Sequence, residues 1–380
     1  MTGLNFLQNY KNIIAIPSIS AFDSAIDQSN LNLINYLSEQ FSDLGFKISI
    51  HSVPDSRNKF NLLAQLGSGE GGLLLAGHSD TVPFDEGKWQ SDPFKIREAD
   101  NRLYGLGSCD MKGFFAFILE AVKQIDVKKL QKPIYVLASA DEETSMAGAR
   151  FFAQQQLIKP DVAIIGEPTE LKPIYKHKGH MAHSLNIQGK AGHSSDPAKG
   201  VNAIEIMVDS INRLLDFKKQ FETNNDATFN VPQATMNLGH IHGGDGENRI
   251  CGHCQMNFDL RLLPGMQDDA IIAQIDEVLA PVTQKWPGRV SRELMYATVP
   301  SFSCNTEADI LALVKTITGE DPHSANYCTE APFISELGCD TIVLGPGSID
   351  QAHQPDEYLA LDYVDPTLHL LTQVIAQTCL

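Results

Sequence analysis

Positive charge is scarce in this sequence: 29 Lys and Arg stand against 47 Asp and Glu in 380 residues, a formal net charge of −18 at pH 7. Nucleic acids and anionic membranes are bound through clustered Lys and Arg, so neither is an expected partner. Long apolar runs are missing as well; none approaches the roughly 20 residues that span a bilayer. The stretch from Met1 to Tyr10 has neither the basic start nor the apolar core of a secretion signal. Cysteine is sparse, with seven residues, an odd number at irregular spacing, and makes no disulfide framework. These absences lead to the expectation of a cytoplasmic protein. Internal repeats and low-complexity segments are lacking too, and the 43% hydrophobic content suits a globular chain with room for two or three domains. One question follows from the charge: a site built of several carboxylates repels itself unless cations sit among them.

The periodicity predicts helices around Leu4–Ile14 and Asn30–Leu44 and a strand at Lys47–Ser52. Short apolar runs bounded by glycine, Leu62–Leu66 and Leu73–Ala76, read as buried strands. A helix at Met111–Ile125 follows, then apolar strands at Ile134–Ala138 and Val162–Ile165. Strands alternating with helices suggest an α/β domain, a mostly parallel sheet with helices on both faces. The pattern then changes. A half-exposed strand is expected around Met181–Ile187, a helix at Val201–Phe217, strands near Thr235–Ile241 and Arg249–Leu262, a helix at Asp269–Gln284 and a strand at Val290–Val299. That order is βαββαβ, the ferredoxin-like split βαβ, and it reads as a smaller α+β domain over residues 182–298. Residues 1–181 and 299–380 then form one discontinuous domain, closed by a helix near Ala308–Thr318, a strand at Thr341–Leu344 and a helix at Pro366–Thr378.

Three apolar strands run into groups that bind metals: His78-Ser79-Asp80, Asp141-Glu142-Glu143 and Glu167-Pro168-Thr169. Ligands of open α/β sheets sit beyond the carboxyl ends of the strands. His78 and Asp80 point the same way in an extended segment, so one can bind a metal while the other supports it; a plain surface turn fits as well. Gly105–Gly113 half-resembles a dinucleotide fingerprint, but Asp110 stands where a small residue is needed and would repel a pyrophosphate. Asp110 suits either a metal ligand or a helix N-cap. Glu142 and Glu143 read as a solvated pair or as one ligand beside one free base. His353, in a Gly- and Pro-punctuated loop, is a ligand or a solvated side chain. Together, two His and three carboxylates, with a Glu and an Asp to spare, supply two metal ions if Asp110 bridges them. Cys251-Gly-His-Cys254 has metal-like spacing, but an odd offset in an alternating strand parts the sulfurs. His177, His180 and His183 lack carboxylate partners.

Gly77–Pro83, Gly105–Gly113, Asp141–Thr144, Ile165–Thr169, Gly189–Asp196, Gly239–Gly244, Asn326–Phe333 and Leu344–Glu357 together resemble the M20 family of metallopeptidases and amidohydrolases. The resemblance implies one zinc held by His78, Asp110 and Glu167 and a second by Asp110, Glu143 and His353. Cobalt commonly substitutes. It further implies Glu142 as general base, Asp80 as support behind His78, and a cis peptide at Asp110–Met111. The inserted domain would form a homodimer and lend His193 to the partner's site, where it would stabilise the oxyanion. The implied reaction is removal of an acyl group from an N-acylated amino acid by a metal-bridging hydroxide. N-acetylornithine is the expected substrate, with a succinylated diamino acid or a peptide as alternatives and a non-catalytic metal-binding protein as a remote one. Arg261, whose planar fork matches a carboxylate, and Asn248 are candidates for the substrate carboxylate, though a salt bridge and a turn suit them too. Glu330 would suit a cationic side-chain amine.

Overall fold

The computed structural model describes every residue except Met1, Asp55 and Glu86. The chain divides into two compact units, 1–175 with 304–323 and 329–380, and 176–303 with 324–328. The second unit is therefore wider than the expected 182–298, and it takes in a short segment from late in the chain.

In the first unit, strands run in the order Lys47–Ser52, Phe60–Leu66, Ile134–Ser139, Leu73–His78, Val162–Ile165 and Asp340–Val343. The four from Ile134–Ser139 onward pair in parallel, and the two before them pair antiparallel. Every residue of Leu73–His78 and Ile134–Ser139 is buried, which explains why these strands read as unbroken apolar runs rather than alternating ones. Helices Thr2–Ile14, Leu31–Asp43, Phe114–Lys123, Asp309–Thr318 and Val364–Cys379 pack as one layer. Ala147–Gln155 and Ala331–Ser335 form the other. Phe114–Lys123 is buried from Phe114 to Val122 on all sides, as befits the central helix of a layer, packed on the sheet and flanked by its neighbours. Each fully buried side chain such as Phe117 contributes about 1.5–3 kcal/mol.

Three features depart from expectation. The central helix starts at Phe114 rather than Met111 and its N-cap position is Gly113, so Asp110 lies in the preceding loop and caps nothing. Helix Ala147–Gln155 had no apolar stripe strong enough to announce it. It replaces bulk with close approach: a Cβ on Gly148 would lie 2.4 Å from the Ala140 carbonyl oxygen and 2.6 Å from Asn61 Oδ1. No peptide bond is cis among the described residues, Asp110–Met111 included.

The second unit is a four-stranded antiparallel sheet in the order Thr235–Gly243, His253–Leu262, Gly179–Gln188, Val290–Leu294. Helices Ala203–Phe221 and Asp268–Lys285 complete its core, with Leu185, Met207, Leu214, Met256 and Ile275 among the buried residues. Strand Gly179–Gln188 is interior, flanked on both sides, and Ala182 and Ser184 are buried along with Met181 and Leu185; it is not half-exposed. The expected strand Arg249–Leu262 breaks after Ile250. Arg249–Ile250 pairs with Gly192–His193, and the main strand resumes at His253. Because of that break, Cys251 and Cys254 enter the same apolar core instead of opposite faces, and both are free thiols.

A carboxylate-rich candidate metal centre

The parallel strands bring their carboxyl ends to one edge of the first unit, and the candidate ligands meet there. His78 closes its strand wholly buried. Its Nδ1 lies 3.0 Å from the Asp80 carbonyl oxygen, so Nδ1–H donates there and Nε2 is left to face the site. Nε2 is 3.1 Å from Asp110 Oδ1 and 3.8 Å from Glu167 Oε1. On the other side, His353 Nε2 is 3.0 Å from Glu143 Oε2 and 3.7 Å from Asp110 Oδ2. Asp110 thus presents one oxygen to each imidazole. Donor atoms of His78, Asp110 and Glu143 lie within 4.8 Å of one another, as do those of His78, Glu142 and Glu167.

Asp80 supports the site differently from expectation. Its carboxylate stands 3.7 Å from His78 Nδ1, and it accepts the backbone N–H groups of Glu142 (3.3 Å) and Glu143 (3.2 Å). The loop it holds is strained at Asp141, with φ +58°, and His353 likewise adopts φ +60°. Asp141 is anchored by Ser20 Oγ–H at 2.8 Å and by buried Lys59, whose Nζ is 3.1 Å away.

Charge crowding sets the protonation. Burial pushes the carboxyls of Glu142 and Glu167 well above the usual range and raises Glu143, with neighbouring carboxylates adding to the effect. Asp110 moves the other way, because the hydrogen bond and charge of His78 and the charge of His353 outweigh its burial. His78 is raised well above normal: burial alone would lower it, but Glu167, Asp110 and Glu142 prevail. His353 is pushed up to about 9, chiefly by its hydrogen bond to Glu143. A set of crowded, buried carboxylates around two imidazoles fits a pair of dications, which supply the missing positive charge.

Two buried acids lie beside this cluster. Glu330 is wholly buried; Ser139 Oγ–H donates to its Oε2 at 2.8 Å, Oε1 has no partner among the described residues, and burial pushes the acid up to about 7. A carboxylate so enclosed is not presented to a substrate ammonium, which corrects the role expected of it. Glu357, which drew no notice in the sequence, accepts three backbone N–H groups, from Gly107, Cys109 and Asp110. Beside His353 a cavity of about 280 Å³ opens, lined by Val82, Phe84, Asp85, Trp89 and Leu106.

The remaining candidates belong to the second unit. His193 is exposed, and its Nδ1 accepts both the N–H (3.1 Å) and the Oγ–H (2.7 Å) of Ser195. Asn248 is exposed close by in the fold, its carbonyl accepting the Ser194 N–H at 3.1 Å. Arg261 Nε pairs with Asp259 Oδ2 at 3.4 Å, and Nη1 approaches Cys328 Sγ at 4.0 Å. Among the described residues His177, His180 and His183 form no metal cluster, but His180 does have a carboxylate beside it, with Asp259 Oδ2 3.9 Å from Nε2, against the expectation that all three lack one; burial pulls each imidazole down to about 4.

This fold and this cluster are those of a metal-dependent hydrolase, and the chain belongs to peptidase family M20/M25/M40, whose profile matches residues 74–377. An acetylornithine deacetylase of Pectobacterium atrosepticum is 54% identical over 375 residues, covering 98% of each chain. The fold is shared with an M20 metallo-carboxypeptidase of Sulfolobus solfataricus, with a TM-score of 0.78 at 17% identity over 97% of this chain and 98% of that one. It is shared also with a dinuclear metal-binding M20 peptidase of Bacillus subtilis, with a TM-score of 0.65 at 13% identity over 99% and 98% of the two chains.

Proposed function

We propose that the protein hydrolyses the amide of N2-acetyl-L-ornithine to acetate and L-ornithine, a step of arginine biosynthesis. The observation that carries the reading is Asp110, with one carboxylate oxygen turned to His78 and the other to His353. The 54% identical deacetylase supports the choice of substrate. His78, Asp110 and Glu167 would hold one metal, and Asp110, Glu143 and His353 the other. Zinc or cobalt there supplies a Lewis acid and brings the pKa of water toward neutrality.

The chain's own groups do the rest. Glu142, free of the two ligand sets and raised by burial, accepts a proton from the attacking water and returns it to the departing amine nitrogen. Asp80 fixes the position of that base through the Glu142 and Glu143 amides. Ser195 donates twice to His193 Nδ1, so Nε2 of the neutral ring keeps its hydrogen and can donate it to an oxyanion. Arg261 and Asn248 are assigned to the substrate α-carboxylate.

A homodimer is part of this reading. Helix Ala203–Phe221 exposes Ile204, Val208 and Leu215, and the unpaired side of edge strand Thr235–Gly243 carries Ile241 at 56% exposure. An apolar helix row beside an open strand edge suits a second copy of the chain. A cytoplasmic setting agrees with seven free cysteines.

The test is acetate release from a panel of N-acyl amino acids with zinc or cobalt added. N-acetylornithine is expected to turn over fastest. Preference for a succinylated diamino acid would overturn the assignment.

A further inference from the structure

The loop that carries Asp110 has Tyr10 Oη–H donating to its Ser108 carbonyl, and three of its backbone N–H groups are gathered by one side chain from the far end of the sequence. Glu357 is 2% exposed, and its Oε1 accepts the N–H groups of Cys109 (2.6 Å) and Asp110 (3.0 Å) while Oε2 accepts that of Gly107 (2.9 Å). Its carbonyl oxygen accepts the Gly105 N–H at 2.9 Å. The residues just after it, Tyr358–Ala360, pair with Arg102–Tyr104, and those just before it include His353. The loop has little freedom to respond otherwise. Gly107 sits at φ +76°, and a Cβ there would come within 2.8 Å of Lys112 and Thr81.

We propose that Glu357 is the positioning residue of the metal centre: by gathering three amides of the 107–110 loop it sets the Asp110 carboxylate midway between His78 and His353. The inference rests on the reading of Asp110 as a bridging ligand. A carboxyl group fits this task because its two oxygens, held apart at a fixed angle, can accept all three backbone N–H groups at once. No ligand of the centre is altered by changing it. The effect reaches the metals only through the placement of Asp110, as for other groups that orient a ligand.

Glu357→Gln is the test. The amide keeps the shape and one accepting oxygen but turns an N–H₂ toward the Gly107 N–H. Cobalt binding to metal-free protein is followed by visible absorption and titration calorimetry, alongside kcat and KM. The expected result is a cobalt spectrum different from wild type, the weaker of the two cobalt equivalents loosened about tenfold or more, and kcat reduced about tenfold with KM little changed. A variant that folds with the wild-type cobalt spectrum and affinities would overturn the proposal, whatever its melting temperature. Glu357→Asp, which keeps both accepting oxygens on a shorter arm, is measured in parallel, and partial recovery of spectrum and kcat is expected. If neither variant folds, the residue serves the fold at large and the proposal fails. Wild-type protein that binds no cobalt would instead defeat the reading of the site itself, so the two failures are told apart.

Discussion

In the proposed scheme Glu142 takes a proton and gives it up within one turnover, and its surroundings pull it both ways. Burial favours the protonated acid, while His78 favours the carboxylate. Because Glu142 is a base and not a ligand in the proposed scheme, Glu142→Ala should keep both metals by elemental analysis and lose activity by at least about 10²-fold. Retained turnover would show that another group serves as base. Ser195→Ala addresses the second proton-handling group. Loss of the Oγ–H leaves the backbone N–H of residue 195 alone to hold His193 Nδ1, so the ring is oriented less firmly and kcat should drop several-fold with KM nearly unchanged; an unchanged kcat would remove the Ser195 hydroxyl from the account. At this scale the sequence was informative where a residue ended an apolar strand, as His78, Glu142 and Glu167 do. It was silent on Glu357, whose partners lie 247 to 250 residues away and are backbone amides, which leave no side-chain signature. It misplaced Glu330, since burial depends on what packs above a residue rather than on its neighbours in the chain.

The strand-end loops work because the elements beneath them are packed without slack. Helix Ala147–Gln155 lies against the turn that leads into Asp141-Glu142-Glu143, with Asn61 Nδ2 donating to the Gly148 carbonyl at 2.8 Å and Asn61 Oδ1 accepting from Ala140 N–H at 3.1 Å. Gly148→Ala forces a methyl into the Ala140 carbonyl, which is backbone and cannot rotate aside. The expected cost is about 1–3 kcal/mol of stability, read by denaturant unfolding, together with reduced kcat as the loop shifts. Wild-type stability in this variant would mean that the contact is looser than described. Buried parallel strands were legible as elements because both their faces are apolar. Ala147–Gln155 was not, because its buried stripe is Gly148, Ala149 and Ala153 with Phe152 the one large residue, too little apolar bulk to announce a helix. The break at Cys251-Gly252 was hidden for a related reason: alternation on either side of it continues in phase, so the run reads as one strand.

For the whole molecule, the excess of acid found in the sequence becomes a measurable property once metal is removed. Glu330 is pushed up to about 7 and Glu357 to about 8 by burial, and His353 to about 9 mainly by Glu143. Each lies above its unfolded value, roughly 4.3 for Glu and 6.5 for His, so the folded chain keeps protons that the unfolded chain has released. Stability is then lost as pH rises through these values. His177, His180 and His183, pulled down to about 4, are neutral in both states above about pH 7.5, while Lys112, pulled down to about 7 by burial, opposes the trend and cancels it toward pH 9. Metal-free protein should therefore melt at progressively lower temperature from about pH 7.5 to 8.5. Zinc should weaken the trend, since its binding displaces the His353 proton. A metal-free melting temperature that climbs over the range would contradict this. Assembly is tested separately: Ile241→Asp, on the open strand edge, should shift the protein from dimer to monomer in size-exclusion chromatography with light scattering, and an unchanged dimer would place the interface elsewhere. The central claim is that strands distant in sequence converge to hold two metals about Asp110. Anomalous scattering from a zinc-loaded crystal tests it most directly. Two peaks are expected about 3.5–4 Å apart, one beside His78 and Glu167 and the other beside Glu143 and His353, with Asp110 between them; no peak, or a single one remote from Asp110, would contradict the account.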